Sequence, residues 1–355
     1  MDPLTHTLVG ANLAATRLGK ITPMATAALV IGANVPDVDV FSYLWGEDFA
    51  MGFRRGWTHG PLALVVLPLL LTGLLLAWDR FVRRDPARQA RAGPLLLLAF
   101  LAALTHPALD WLNIYGMRWL MPFDGTWYYG DSVFIMDPWL WLILGGTWLA
   151  GRRLSIGLLV TWGIFTALLA AVVQARAGTY VPAVLAVSGG LLLALLWRPP
   201  NERTGERLAQ LGLIIGALFI GILLGLHQFT RLNVQSALAD QGIENARRVM
   251  TGPRPINPLH WDVVVERDDH YRFGSYRWPG GLTLDDNRLS VPGDDLIWRK
   301  ASAHPSVAGF MTWTRFPWYE VEQTAQGTLV HIMDARYSRS VGTGFGTTRV
   351  LLEPD

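Results

Sequence analysis

Between residues 60 and 229 the chain returns repeatedly to unbroken apolar runs, at about 60 to 78, 94 to 113, 137 to 150, 155 to 174, 181 to 197 and 211 to 229. Several reach the roughly 20 residues that span a hydrocarbon core. In lipid every backbone N–H and C=O must be paired within the protein, so runs of this kind fold as helices. The run at 137 to 150 is short and suits a thinned or protein-lined position. Two shorter candidates, 4 to 18 and 22 to 35, precede these runs; Gly19 and Lys20 join them and Pro23 lies near the first turn of the second, as in a tight hairpin. Only 16% of the residues are charged, whereas soluble domains average about a quarter, so a membrane is the natural solvent.

Threading these eight segments puts Arg17, Lys20, Arg80, Arg83, Arg84, Arg88, Arg91, Arg152, Arg153, Arg198, Arg203 and Arg207 on one side. The short loops of the other side hold only Arg54, Arg55, Arg118 and Arg176. The positive-inside rule makes the first side cytoplasmic and sets both termini outside. Trp78, Trp148 and Trp197 then mark the inner interface, and Trp45, Trp57, Trp111 and Trp139 the outer one. No Lys or Arg precedes the first apolar stretch, so the charged start of a secretory signal is missing.

After Phe229 the composition changes. Residues 231 to 250 read as a polar amphipathic helix, and Pro253, Pro255 and Pro258 as a linker. Strand-like alternation follows at Trp261 to Glu266, Tyr271 to Trp278, Val307 to Thr314, Tyr319 to Gln323 and Thr328 to Met333. The expected fold is a membrane α-helical bundle of about six to eight transmembrane helices with a small, mainly β extramembrane C-terminal domain. Its layout is a membrane domain at 1–230 that carries the site, a helix and Pro-rich linker at 231–258, and an exoplasmic β domain at 259–355. The sequence pI of about 9.0 does not imply a nucleic-acid partner, because the basic residues are dispersed in loops rather than gathered in a stripe with stacking aromatics.

Four short sequences place ionisable groups where the threading predicts membrane or interface: Asp2-Pro-Leu-Thr-His6, Pro36-Asp37-Val-Asp39, Arg54-Arg55-Gly-Trp-Thr-His59 and His106-Pro-Ala-Leu-Asp110. Such residues are costly in lipid and mark polar, functional interiors. All four fall at the outer ends of helices, although Lys and Arg alone set the orientation. Asp2 with His6, and His106 with Asp110, are four apart and share a helix face. Pro36 disfavours helix at Val35, and in an extended segment Asp37 and Asp39 point the same way. The chain has no cysteine, so a metal has only His, Asp and Glu to hold it. Three imidazoles and several carboxylates suit a divalent ion, zinc first, with manganese or iron as alternatives.

At these residues the chain resembles the YdjM-like family of inner-membrane metal-dependent hydrolases. The resemblance covers roughly residues 1 to 120 and rests on the ordered set Met-Asp-x-x-Thr-His, Pro-Asp-x-Asp, Arg-Gly-x-Thr-His and His-x-x-x-Asp. More distantly, the order His6, Asp37 or Asp39, His59, His106, Asp110 is similar to the zinc-binding order of bacterial zinc-dependent phospholipases C and fungal single-strand nucleases. That likeness makes Met1 a ligand through its amino and carbonyl groups and makes Asp110 a bridging carboxylate. Beyond Asp110 the pattern lapses, with Asp124, Asp131 and His227 as loose counterparts, so one or two metals are expected rather than three.

The resulting expectation is a metal-dependent hydrolase of the bacterial cytoplasmic membrane, with His6, Asp37, His59, His106 and Asp110 as metal ligands. Asp39 would orient or deprotonate the water, or Asp37 if Asp39 is the ligand. Arg55 would hold an anionic group of an amphipathic or lipid phosphoester. Each signal has a plainer counterpart: Asp2 and Asp137 as helix caps, and Arg54 and Arg55 as headgroup anchors. The alternative function is a non-enzymatic membrane scaffold in which a structural metal staples short helices. A transporter ranks last, because polar residues do not continue through 155 to 174 and 181 to 197.

Overall fold

Among the described residues the apolar runs are helical, and their ends are set by local chemistry. A computed structural model describes residues 1–152, 156–177, 182–189, 201–243, 246–342 and 344–353. Helix α1 (Pro3–Ala15) starts on Asp2, whose carboxylate accepts the Thr5 N–H at 3.0 Å, with Pro3 at the first position. Helix α2 (Ala25–Gly32) follows a 3-10 turn at Arg17–Lys20 and completes the anticipated hairpin. A side chain at Gly10 would meet the Leu29 carbonyl oxygen at 2.7 Å, so the hairpin's closest approach requires glycine there. A run of 3-10 turns at Val35–Trp45 leads to α3 (Glu47–Phe53). Then come α4 (Pro61–Trp78), α5 (Ala92–Trp111), α6 (Pro138–Ala150), α7 (Ile156–Ala177), α8 (182–189) and α9 (Glu202–Asp240).

Among the described residues three helices are long and apolar enough to cross a membrane: Pro61–Arg83, Ala92–Trp111 and Glu202–Asp240. The number is four if Ala25–Gly32 and Val35–Trp45 form one broken span. Six to eight spans are therefore not supported. Helices α1 and α6 have 13 residues each, short of the roughly 20 a bilayer needs. Most of the expected span at 181–197 lies outside the described residues, as do Arg153, Trp197 and Arg198.

The chain divides into two compact units: Met1–Val38 with Arg55–Leu226 and Arg254–Pro258, and Asp39–Arg54 with His227–Pro253 and Leu259–Asp355. In the first, Ala25, Ala28 and Leu29 of α2 pack against Leu95, Leu98, Ala99 and Ala102 of α5, with Leu71 and Leu75 of α4 alongside. Small residues bring α2 and α5 together: a Cβ on Gly32 would lie 3.0 Å from that of Ala102. The opposite face of α4 leaves Val65, Leu69, Leu70 and Leu74 exposed, which suits contact with lipid.

The second unit holds two antiparallel sheets. One is β1 (Arg248–Pro253), β2 (His260–Glu266), β3 (His270–Arg277) and β4 (Gly281–Ser290), in that order; the other is β5 (Pro317–Thr324), β6 (Gly327–Asp334) and β7 (Thr347–Leu352). Val264, Tyr271, Phe273, Phe316, Trp318 and Met333 form their core. Short helices α10 (Leu296–Ser302) and α11 (Ala308–Trp313) separate the sheets in sequence. The expected strand at Val307 to Thr314 is instead a 3-10 turn followed by α11. Buried Val307, Phe310 and Trp313 recur every third residue, a helical rather than an alternating period. The amphipathic helix expected at 231 to 250 is the end of α9, which stops at Asp240; Gly242 has φ of +70°, and β1 takes over part of the presumed helix and linker. Residues 39–54 fold with this unit because the Asp48 carboxylate accepts the N–H groups of Gly309 and Phe310 at 2.9 and 2.8 Å.

Candidate metal centre

Asp110 is the centre of the site. It sits in the last turn of α5, one turn after His106 on the same face, and both are buried. Its Oδ2 lies 3.3 Å from His59 Nε2 and 3.5 Å from His106 Nε2, and its Oδ1 lies 3.2 Å from His6 Nε2. Asp37 Oδ1 completes the group at 3.6 Å from His106 Nε2. One donor atom each from Asp37, His59, His106 and Asp110 falls within 4.8 Å of all the others. A tetrahedral ion with bonds of about 2.1 Å spaces its ligands about 3.4 Å apart, close to the separations between these donors.

The tautomer of His106 makes the fit specific. Its Nδ1 lies 2.7 Å from the carbonyl oxygen of Ala33, which can only accept, so Nδ1 carries the proton and Nε2 presents a lone pair. That lone pair faces two carboxylate oxygens and makes no hydrogen bond with either. Three acceptors turned toward one another repel unless a cation lies between them. The close packing of α2 on α5 delivers the Ala33 carbonyl. His6 stacks on His106 with ring centroids 3.7 Å apart and its planes inclined by 16°. His59, held at Nδ1 by Thr58 Oγ1 at 2.9 Å, stays neutral: burial first, then neighbouring His106, depress its pKa well below the usual imidazole range.

Asp110 also has cationic partners. Its Oδ1 meets the Met1 amino group, and Arg55 Nε lies 3.2 Å from its Oδ2. Arg55 is buried, adopts a left-handed backbone with φ of +52°, donates to Asn113 Oδ1 at 2.8 Å and lies over the Tyr115 ring at 4.5 Å. Sequence reasoning missed Asn113, which lies three residues after Asp110, where α5 has just ended; a buried Asn there was the available signal.

Asp37 and Asp39 diverge. The turn expected to be extended is 3-10, and with three residues per turn positions two apart point about 120° away from each other. Asp37 therefore joins the donor group, while the Asp39 carboxylate accepts from Arg54 Nε at 3.1 Å in the second unit. Asp2 is a cap rather than a donor to the cluster, and Trp141 Nε1 and Thr5 Oγ1 donate to it as well. Asp137 caps α6 as read from Pro138. Of the loose counterparts, Asp124 accepts from Thr126 at an exposed turn and His227 stacks on Trp261 in the second unit.

Apolar spans joined to a buried His and Asp cluster define a membrane protein with a candidate metal site. The YdjM inner membrane protein family matches residues 1–179, which contain the whole cluster. The chain belongs to that family. It is also 25% identical over 150 residues to "Uncharacterized protein YfhP" of Bacillus subtilis (strain 168), a match covering 40% of this chain and 43% of that one. The alignment thus spans less than half the length of this curated relative. No solved structure matches the chain.

Proposed function

We propose that the chain is a multi-pass, membrane-embedded metal-dependent hydrolase acting on a phosphoester or related ester of an amphipathic or lipid substrate. The observation that carries this reading is the group Asp37, His59, His106 and Asp110, buried except for Asp37, free of sulfur and spaced for one divalent ion. When bound, a zinc-type ion would lower the pKa of a coordinated water and polarise the ester oxygen. His59, His106 and Asp110 would hold it, with His6 stacked behind His106. Asp37, whose side chain is 19% exposed while those of the other three are essentially closed off, would be the fourth donor, the one able to exchange with water and accept its proton. Arg55, buried against Asp110, would supply a positive charge that favours a developing phosphoryl anion. Asp39 supports the turn through Arg54. In this proposal the site and the C-terminal domain face the exoplasmic side of a bacterial inner membrane, a reading supported by the Lys and Arg distribution along the eight threaded segments.

The rival reading, a scaffold with a structural metal, draws on the four protein donors, enough to close a tetrahedral shell. Metal analysis of purified wild type and His106→Ala, paired with a phosphodiester and phospholipid hydrolysis screen, separates the two. The proposal expects metal-dependent turnover that is lost with the metal in His106→Ala. Turnover unchanged in a metal-free variant refutes it, and metal retained without turnover across the screen selects the scaffold.

A further inference from the structure

At the other end of α4 the chain builds a second polar site, unconnected with the donor cluster. Residues 79–91 hold five arginines (80, 83, 84, 88 and 91) against two aspartates (79 and 85). The helix ends in a π-helical turn at Asp79–Arg83, and Arg84 takes a left-handed conformation with φ of +51°. The loop closes because buried Asp79 accepts the Ala90 N–H at 2.6 Å and pairs with Arg83. A cavity of about 490 Å³ results, lined by Asp79, Arg80, Arg84, Asp85 and Gln89 among others.

The charges in this cavity are unevenly committed. Arg83 engages both carboxylates, reaching Asp85 Oδ2 at 3.0 Å, while Asp85 Oδ1 also accepts the Ala87 N–H at 3.0 Å. Among the described residues neither Arg80 nor Arg84 pairs with a carboxylate. Arg84 Nε donates to the Phe81 carbonyl at 2.6 Å, which fixes the plane of its guanidinium and leaves the Nη groups for a ligand. Two cations thus share a cavity whose two carboxylates are already engaged by Arg83 and by backbone N–H groups, so that the three arginines outweigh the two acids, which is complementary to an anion. Exposed Trp78, Phe81 and Val82 flank it at the end of a span, the composition of a membrane interface.

We infer that this cavity binds the headgroup of an anionic phospholipid in the leaflet at the C-terminal end of α4. Arg80 and Arg84 take the phosphodiester, and the acyl chains run down among the exposed leucines of that helix. Clusters of basic residues beside a span attract anionic lipid through the same physics, here focused by a formed cavity.

The test is lipid titration of the full chain in neutral detergent, read by native mass spectrometry, with phosphatidylglycerol, phosphatidylcholine and inorganic phosphate as separate probes. Wild type is expected to retain phosphatidylglycerol well above phosphatidylcholine. Arg80→Gln combined with Arg84→Gln weakens that retention about 30-fold, while Arg88→Gln, outside the cavity, changes it little. Both cavity positions are exposed, and unchanged thermal unfolding and metal content will confirm that the double variant folds. Equal retention by the double variant, or no preference for phosphatidylglycerol in wild type, overturns the inference. Inorganic phosphate binding as tightly as the lipid, with the same arginine dependence, also overturns it by making the site a soluble-anion pocket.

Discussion

Replacing Asp110 with Asn keeps the shape of the side chain and removes its charge, and the surroundings let the consequence be sized. In wild type the carboxylate is fully buried, faces the guanidinium of Arg55 at 3.2 Å and meets the Met1 amino group, both also buried. Breaking one partner out of a buried ion pair costs about 3–5 kcal/mol, because the remaining charge stays desolvated. Metal-stripped Asp110→Asn should therefore melt lower by on the order of 10 °C. Asp37→Asn alters a partly exposed side chain and should cost about 1 kcal/mol or less in the same stripped state. Metal binding behaves differently. Structural zinc sites bind with about 10–16 kcal/mol shared among four ligands, so losing either carboxylate should weaken zinc about 100-fold or more. Thermal unfolding of chelator-treated protein reads the first effect, and competition against a chromogenic chelator reads the second. Zinc affinity unaltered in both variants would refute the metal centre; an unaltered melting point in stripped Asp110→Asn would refute the ion-pair reasoning while leaving the metal centre standing.

Two further outcomes are expected. Gly32→Val forces side-chain atoms into Ala102 and the Ala99 carbonyl, 3.0 and 3.1 Å from the position of a Cβ. The overpacking should cost about 1–3 kcal/mol and, by withdrawing the Ala33 carbonyl from His106, weaken zinc about 10- to 100-fold; tight zinc binding in a destabilised Gly32→Val would disconnect the packing from the site. In the β unit, burial pushes the Asp334 carboxyl up, but the charge and hydrogen bonds of Arg336 overcome it and hold the pKa at about 2. The folded pKa lies below the ordinary carboxyl value of 3.8, so the stabilisation, about 2 kcal/mol, is complete above that value and disappears as pH falls from about 4 through 2. Arg336→Met should move the loss to higher pH, which tryptophan fluorescence on acid titration will detect.

The cluster was conspicuous because ionisable groups are rare in apolar sequence: position alone singled out His6, Asp37, His59, His106 and Asp110, and the last four bring donor atoms within reach of one ion while His6 stacks on His106. Their separation into roles was not legible. Whether Asp37 and Asp39 face the same way depends on extended against 3-10 backbone, and Pro36 permits both. The span count is not confirmed where apolar runs are short: α6 is as hydrophobic as a span but has only 13 residues, and its Trp139 and Trp141 indoles reach the Ile256 carbonyl and the Asp2 carboxylate. In the C-terminal half, β2, β3, β5 and β6 alternate visibly, whereas β4 is mostly exposed and carries no apolar period. Val307, Phe310 and Trp313 look like strand residues until their spacing is counted. The attachment of 39–54 to the second unit rests on Asp48 receiving two backbone N–H groups some 260 residues away, a relation no local pattern encodes.

The surroundings of each imidazole nitrogen favour a cation in the cluster more than the number of donors does. A histidine that donates through both nitrogens can sit between a carbonyl and a carboxylate as an ordinary buried ion pair. At His106 the contact with Ala33 is a short hydrogen bond, while Nε2 lies 3.6 and 3.5 Å from the carboxylate oxygens of Asp37 and Asp110 and makes no hydrogen bond. His6 stacks face to face on it. Arg55 and the Met1 amino group neutralise Asp110 from its flank, while His106 Nε2 makes no hydrogen bond. A divalent ion among the four donors would satisfy that nitrogen. Small residues on α2 and α5 let the helices approach closely enough for the Ala33 carbonyl to hold His106 Nδ1, which turns Nε2 toward the cluster.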